Sequence, residues 1–91
     1  MQPYDLKTAT IVDVRTREEF AMGHVEGSIN IPLHEVPTRV DEFRAMTQPV
    51  VLICASGNRS GQAAHFLRAQ GLDTVYNGGG WMEVNYQLSA A

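Results

Sequence analysis

Apolar residues in this chain fall into short blocks parted by glycine, proline and polar turns, and strand-like blocks alternate with helix-like ones. Thr10-Ile11-Val12-Asp13-Val14 is a mostly apolar run with a carboxylate near its end, which predicts a strand. Thr16-Arg17-Glu18-Glu19 has the spacing of a capping box, so a short helix is expected through Phe20, stopping by Gly23. Ser28-Ile29-Asn30-Ile31 predicts a second strand ended by Pro32. Val36, Val40 and Phe43 recur at i, i+4 and i+7, the signature of an amphipathic helix over residues 34–46. Val50-Val51-Leu52-Ile53 is rich in β-branched residues and bounded by Pro49, and it predicts a strand buried on both faces. A helical stretch over residues 61–70 ends at Gly71. Asp73-Thr74-Val75-Tyr76-Asn77 makes a fourth strand, and Gly78-Gly79-Gly80 is expected to open a last short helix through about Tyr86.

Alternating strands and helices with short connections indicate parallel strands joined by right-handed crossovers. The expected fold class is α/β: a small open parallel sheet of about four to five strands with helices on both faces. No internal repeat, low-complexity tract or linker divides the chain, so residues 1–91 are read as one domain. In such sheets ligands bind outside the carboxyl ends of the strands. Asp13, Cys54 and Asn77 all fall at or near those ends.

Composition narrows the function classes. The 91 residues suffice for one small domain, and 44% hydrophobic content supports a modest core. A formal charge of −3 and the lack of a basic run argue against nucleic acid as a partner. No apolar stretch approaches the roughly 20 residues of a membrane span. The first residues lack the basic start and apolar stretch of a signal peptide. A single cysteine allows neither an internal disulfide nor a CxxC metal site. That usage suits a reducing compartment, and a cytoplasmic location is expected.

The cysteine itself holds the candidate chemistry. Cys54 closes the buried strand, and Ala55-Ser56-Gly57-Asn58-Arg59-Ser60 leads directly into a helix. A short loop at that junction turns backbone N–H groups inward, beside the positive end of the helix dipole. Gly57 tolerates positive φ, Ser60 is a good helix N-cap, and Arg59 brings a planar fork of donors. Together they should lower the thiol pKa below its free value of about 8.5. No histidine adjoins Cys54, so loop electrostatics would have to activate the sulfur.

At these residues the chain resembles the rhodanese-like sulfurtransferases. Residues 54–60 are similar to their C-x-x-G-x-[RS]-S type of loop, and Asp13-Val14-Arg15 with Glu19-Phe20 resembles their D-V-R…E-F signature. Residues 23–32, Gly23-His24-Val25-Glu26-Gly27-Ser28-Ile29-Asn30-Ile31-Pro32, resemble G-H-[IV]-x-G-[AS]-x-N-[IL]-P, and Asn77-Gly78-Gly79 is similar to the late glycine pair. The likeness covers residues 11–84. It implies that Cys54 carries a sulfane sulfur as a persulfide, taken from a small anionic donor such as thiosulfate. The sulfur passes to a nucleophilic acceptor such as cyanide or a thiol, or to a protein acceptor. Ala55, Ser56, Gly57, Asn58, Arg59 and Ser60 would form the substrate cradle, with Arg59 favouring anionic donors. No cofactor and no metal is implied. Two departures stand out. The strand and helix that usually precede D-V-R are short or absent, because nine residues precede Thr10, and the aromatic residue expected after the late glycines is Val84.

Other residues carry plainer readings. Asp13, Arg15, Glu19 and His24 read as structural support: Asp13 accepting turn N–H bonds, Arg15 pairing with Glu19 or a neighbour, His24 hydrogen-bonded to backbone. His34 and His65 read as ordinary helix residues. Trp81, Val84 and Leu88 sit at helical spacing and read as core or interface. The triple glycine lacks phosphate-loop spacing and reads as a tight turn giving the site room. Three functions compete with an enzyme of sulfur transfer. One is a persulfide relay with little turnover of free thiosulfate, and another is a non-catalytic interaction domain. The third is a phosphatase or arsenate reductase, whose C-x5-R loop encircles a tetrahedral oxyanion. Four residues part Cys54 from Arg59, a ring too small for a phosphoryl group but suited to one sulfur.

Overall fold

A computed structural model describes residues 2–90. The elements run β1 (Thr10–Asp13), α1 (Arg17–Ala21), β2 (Ile29–Asn30), a 3₁₀ helix (Leu33–Thr38), α2 (Val40–Ala45), β3 (Val50–Cys54), α3 (Asn58–Ala69), β4 (Val75–Gly80) and α4 (Trp81–Ser89). All four strands are parallel, in the order β2-β1-β3-β4. The expected α/β class holds, with four strands in the sheet. Residues 2–9 add no edge strand; Tyr4, Leu6 and Ala9 instead pack against a core cluster.

Because side chains alternate along a strand, β3 feeds two cores. Val50, Leu52 and Cys54 join Val36, Phe43, Ala63, Ala64 and Leu67 on one face, beneath the 3₁₀ helix, α2 and α3. Val51 and Ile53 join Val25 and Val84 on the other, beneath α4. Every residue of β3 is buried, which explains a run with no polar alternation. On α3 the buried residues are Ser60, Ala63, Ala64 and Leu67, one stripe at helical spacing. That stripe points the first turn of α3 at the end of β3.

Several boundaries differ from expectation, each for a local reason. The single helix expected over residues 34–46 is split at Arg39 (φ −125°, ψ 25°), after a 3₁₀ segment that contains Pro37. Proline lacks the N–H that a continuous helix needs there. Val36 and Phe43 are still buried, so the apolar spacing located the face though not the geometry. The second strand is only Ile29–Asn30, although Ile31 N–H donates to the Asp13 carbonyl and Leu33 N–H to that of Val14, extending the contact past Pro32. The fourth strand begins at Val75 rather than residue 73 and runs through all three glycines to Gly80. The glycines therefore do not open the last helix. They form an irregular strand end, where Asn77 pairs with Leu52 but Gly79 with Ile53, so Gly78 is bulged out of register. A Cβ on Gly78 would lie 2.5 Å from Val51 Cγ1, so no side chain fits there.

Candidate active site at the end of the third strand

Cys54 is the last residue of β3, and α3 starts four positions later. Gly57 makes the turn between them at φ +97°, as the N-cap of α3. Ser60, expected to cap the helix, is instead its third residue. Its hydroxyl is turned inward rather than onto the helix end. This correction matters, because that hydroxyl reaches the sulfur.

Three donors converge on Cys54 Sγ: the Gly57 amide at 3.0 Å, the Ser60 amide at 3.4 Å and the Ser60 hydroxyl at 3.3 Å. Burial pushes the thiol pKa up, but these hydrogen bonds and that of the Ser56 amide outweigh it, holding Cys54 below its ordinary value. The residue is only 1% exposed. One side of it faces the apolar core, while the loop amides turn toward the sulfur on the other. Ala55, its immediate neighbour, lies in the wall of an open depression of about 450 Å³ shared with Arg15, Glu19, Met22, Gly23, Trp81 and Met82.

Asn77, the third residue of β4, ties the loop to the sheet. Its Oδ1 accepts from Ser60 Oγ at 2.7 Å and from the Gly79 amide at 3.0 Å, while its Nδ2 donates to the Gly57 carbonyl at 3.0 Å. One hydroxyl proton on Ser60 serves either Asn77 or the sulfur. Gly57 also lies close against the β4 backbone: a Cβ on Gly57 would approach Gly79 Cα to 3.2 Å. Expected at a strand end, Asn77 instead lies within β4, and nothing near it in sequence signals that it braces the loop.

The supporting residues form two charge pairs. Asp13 and Arg15 are buried together, with Arg15 Nε 3.0 Å from both Asp13 carboxylate oxygens and Nη2 2.8 Å from Oδ2. Asp13 Oδ1 also accepts the Arg15 amide, the turn bond expected of it. Arg15 does not pair with the Glu19 carboxylate. Its guanidinium donates to the backbone carbonyls of Glu19 and Gly23 and lies 4.6 Å from the Trp81 ring centroid. The Glu19 carboxylate completes the capping box with Thr16 and receives both Nη atoms of Arg59, at 2.6 and 3.0 Å. Arg59 is therefore not an unengaged cation beside the sulfur. His24 Nδ1 lies 2.8 Å from the Phe20 carbonyl and its ring stacks on Phe20, in agreement with a turn role.

A four-stranded parallel sheet with a strand–loop–helix cradle around one cysteine defines the rhodanese-like domain, and the chain belongs to that family over residues 2–86. Among its relatives, the protein YqhL of Bacillus subtilis is 42% identical over 71 residues, 78% of this chain and 56% of that one. Thiosulfate sulfurtransferase PspE of Escherichia coli is 38% identical over 74 residues, 80% of this chain and 71% of the relative. The chain thus spans between 56% and 71% of the length of these two curated relatives. A solved structure of rhodanese with anions from E. coli superposes with a TM-score of 0.75 at 37% identity, covering 82% of this chain and 89% of the other. Among the described residues no helix is long and apolar enough to cross a membrane.

Proposed function

We propose that this domain is a thiosulfate sulfurtransferase of the rhodanese type in which Cys54 carries the sulfur. The observation that supports this reading best is the convergence of the Gly57 and Ser60 amides and the Ser60 hydroxyl on one sulfur atom. Donors so placed stabilise a negative charge on Cys54, the state that attacks the donor and that returns when the persulfide is discharged.

In the first half-reaction the Cys54 thiolate attacks the outer sulfur of thiosulfate. A new S–S bond forms, the old S–S bond breaks, and sulfite leaves with the electron pair. The product is a Cys54 persulfide anion, so one negative charge stays in the cradle. In the second half-reaction cyanide or a thiolate attacks the outer sulfur, and the electron pair of the broken bond returns to Cys54. Ala55 to Ser60 supply the cradle in this mechanism. Asp13 and Arg15 fix the neighbouring strand end, and Asn77 fixes the loop. No step requires a metal or cofactor.

Production of thiocyanate from thiosulfate and cyanide tests the proposal. Full activity in wild type and none in Cys54→Ser is the expected result; unchanged activity in the variant removes Cys54 from the mechanism. A relay that hands sulfur to a protein is the second reading. Exposed Met22, Met82 and Tyr86 favour it, since the first two border the depression beside Ala55. Faster discharge of the persulfide to a protein thiol than to cyanide would select it. A cytoplasmic setting belongs to the same proposal, because a lone thiol that must stay reduced suits that compartment.

A further inference from the structure

The loop cation and its partner come from different elements. Arg59 is the second residue of α3, whose first turn contains no acidic residue. A cation there opposes the helix dipole. Glu19, on α1, supplies the missing anion across 40 positions of sequence, at 2.6 Å. The same carboxylate is anchored by its own helix, since its Oε1 also accepts the Thr16 amide at 3.0 Å. The two side chains are about one-third exposed (32% and 36%), so their pairing adds little to stability. Its consequence is electrostatic. Arg59 adjoins Ser60, whose amide and hydroxyl reach the Cys54 sulfur, so the loop cation acts at the sulfur unless Glu19 cancels it. Asp13 and Arg15 cancel one another nearby. The adjoining depression is walled by Met22, Trp81 and Met82 together with Glu19, Gly23, Ala55 and the Asp13-paired Arg15, and its exposed wall is mostly apolar. It offers apolar surface rather than further positive charge.

We infer that Glu19 sets the charge of this site. By neutralising Arg59 it turns the cradle away from small dianions and toward singly charged sulfur donors with an apolar body, of the organic thiosulfonate or persulfide class. Glu19 acts through Arg59 and is a positioning residue. The donor class rests on the function proposed above, whereas the charge effect does not. With benzenethiosulfonate the Cys54 thiolate takes the terminal sulfur, the S–S bond breaks, and benzenesulfinate leaves with its electron pair.

The charge effect is read without sulfur transfer, by alkylating Cys54 with iodoacetate (an anion) and iodoacetamide (neutral) and following intact mass. Glu19→Gln keeps Oε1 for the Thr16 amide and one Arg59 bond, so the cap survives while the charge is lost. Relative to wild type, the iodoacetate-to-iodoacetamide rate ratio should rise about threefold in E19Q, the size of one Coulomb interaction several ångströms away in high dielectric. It should fall about threefold in Arg59→Gln and return to the wild-type value in the double variant, with the differences collapsing in high salt. If E19Q is too unstable to use, R59Q carries the test. An equal ratio in all these proteins overturns the inference, as does a wild-type thiol inert to both reagents.

The donor class is read from kcat/KM. Wild type should prefer benzenethiosulfonate over thiosulfate, and E19Q should narrow that preference by lowering KM more for the dianion. A preference unaltered by E19Q refutes the specificity role. A charge-dependent alkylation ratio with no sulfur loading from either donor leaves Glu19 in its role and refutes the sulfurtransferase reading instead.

Discussion

Ser60 turns two donor groups toward Cys54: its amide lies 3.4 Å and its hydroxyl 3.3 Å from the sulfur. Both come from the first turn of α3, so the helix and the strand-end thiol are fixed relative to each other. The hydroxyl is shared with Asn77, which keeps its own bond to the Gly79 amide when the proton swings to sulfur. Thiolate formation therefore strands no buried polar group.

Ser60→Ala should raise the Cys54 pKa toward its ordinary value. Alkylation by iodoacetamide at neutral pH should slow by roughly threefold to tenfold, the equivalent of one hydrogen bond. Stability should fall by about 1 kcal/mol, because the buried bond to Asn77 goes with the hydroxyl, although alanine suits a helix. An unaltered rate would mean that the hydroxyl does not stabilise the thiolate.

The pH dependence has a definite sign. Cys54 is held below its ordinary value, so the thiolate is gained as pH rises through that lowered value. Wild-type alkylation and sulfur loading should reach half their maximum below the roughly pH 8.5 of a free thiol. By linkage, ionised Cys54 stabilises the fold fully above the unfolded thiol's pKa, and this is lost as pH falls through the folded one. Glu19 adds no slope in that range, because hydrogen bonds from Arg59 and Thr16 pull it down to about 2. A midpoint at or above that of a free cysteine contradicts the activated thiol.

Gly57→Ala places a side chain at φ +97° and 3.2 Å from Gly79 Cα. The left-handed conformation alone costs about 1 kcal/mol or more in a non-glycine residue. A loss of about 1–3 kcal/mol in urea unfolding is expected, with slower sulfur loading because the Gly57 amide shifts. Gly27→Ala offers a control, since its φ is also positive (+86°) but no atom lies within 4 Å of its Cβ. The excess cost at Gly57 over Gly27 measures the contact with Gly79.

Asp13→Asn removes the charge facing a guanidinium that is itself 4% exposed. Breaking a buried pair from one side costs about 3–5 kcal/mol, because the other charge is left uncompensated. The variant should lose that much stability in urea and activity with it. A loss below about 1 kcal/mol would show that Arg15 is satisfied by the Glu19 and Gly23 carbonyls and by Trp81 alone.

Much of this is legible in the sequence, and the rest is not for physical reasons. The run ending at Cys54 announces a strand buried on both faces because it has no polar alternation. The capping box at Thr16 and Glu19 forms as spaced. Local patterns encode such features. Ser60 has the chemistry of a cap, but Gly57 starts the helix earlier and frees the hydroxyl for the sulfur. The glycines at 78–80 look like a turn, yet they are a strand end, where Gly78 and Gly80 stay bare so that Val51 and the Ala55 carbonyl can come close. The Glu19–Arg59 pair is hidden for another reason. Side chains of two helices distant in sequence meet beyond the carboxyl ends of β1 and β3, and no local spacing records which carboxylate an arginine will find.

Intact-mass spectrometry before and after thiosulfate, and again after cyanide, tests the persulfide at Cys54 most directly. Wild type should gain one sulfur atom and then lose it, while Cys54→Ser should gain none. A wild-type protein that takes up no sulfur from thiosulfate or from benzenethiosulfonate, or a serine variant that takes it up equally, contradicts a sulfur carried on Cys54.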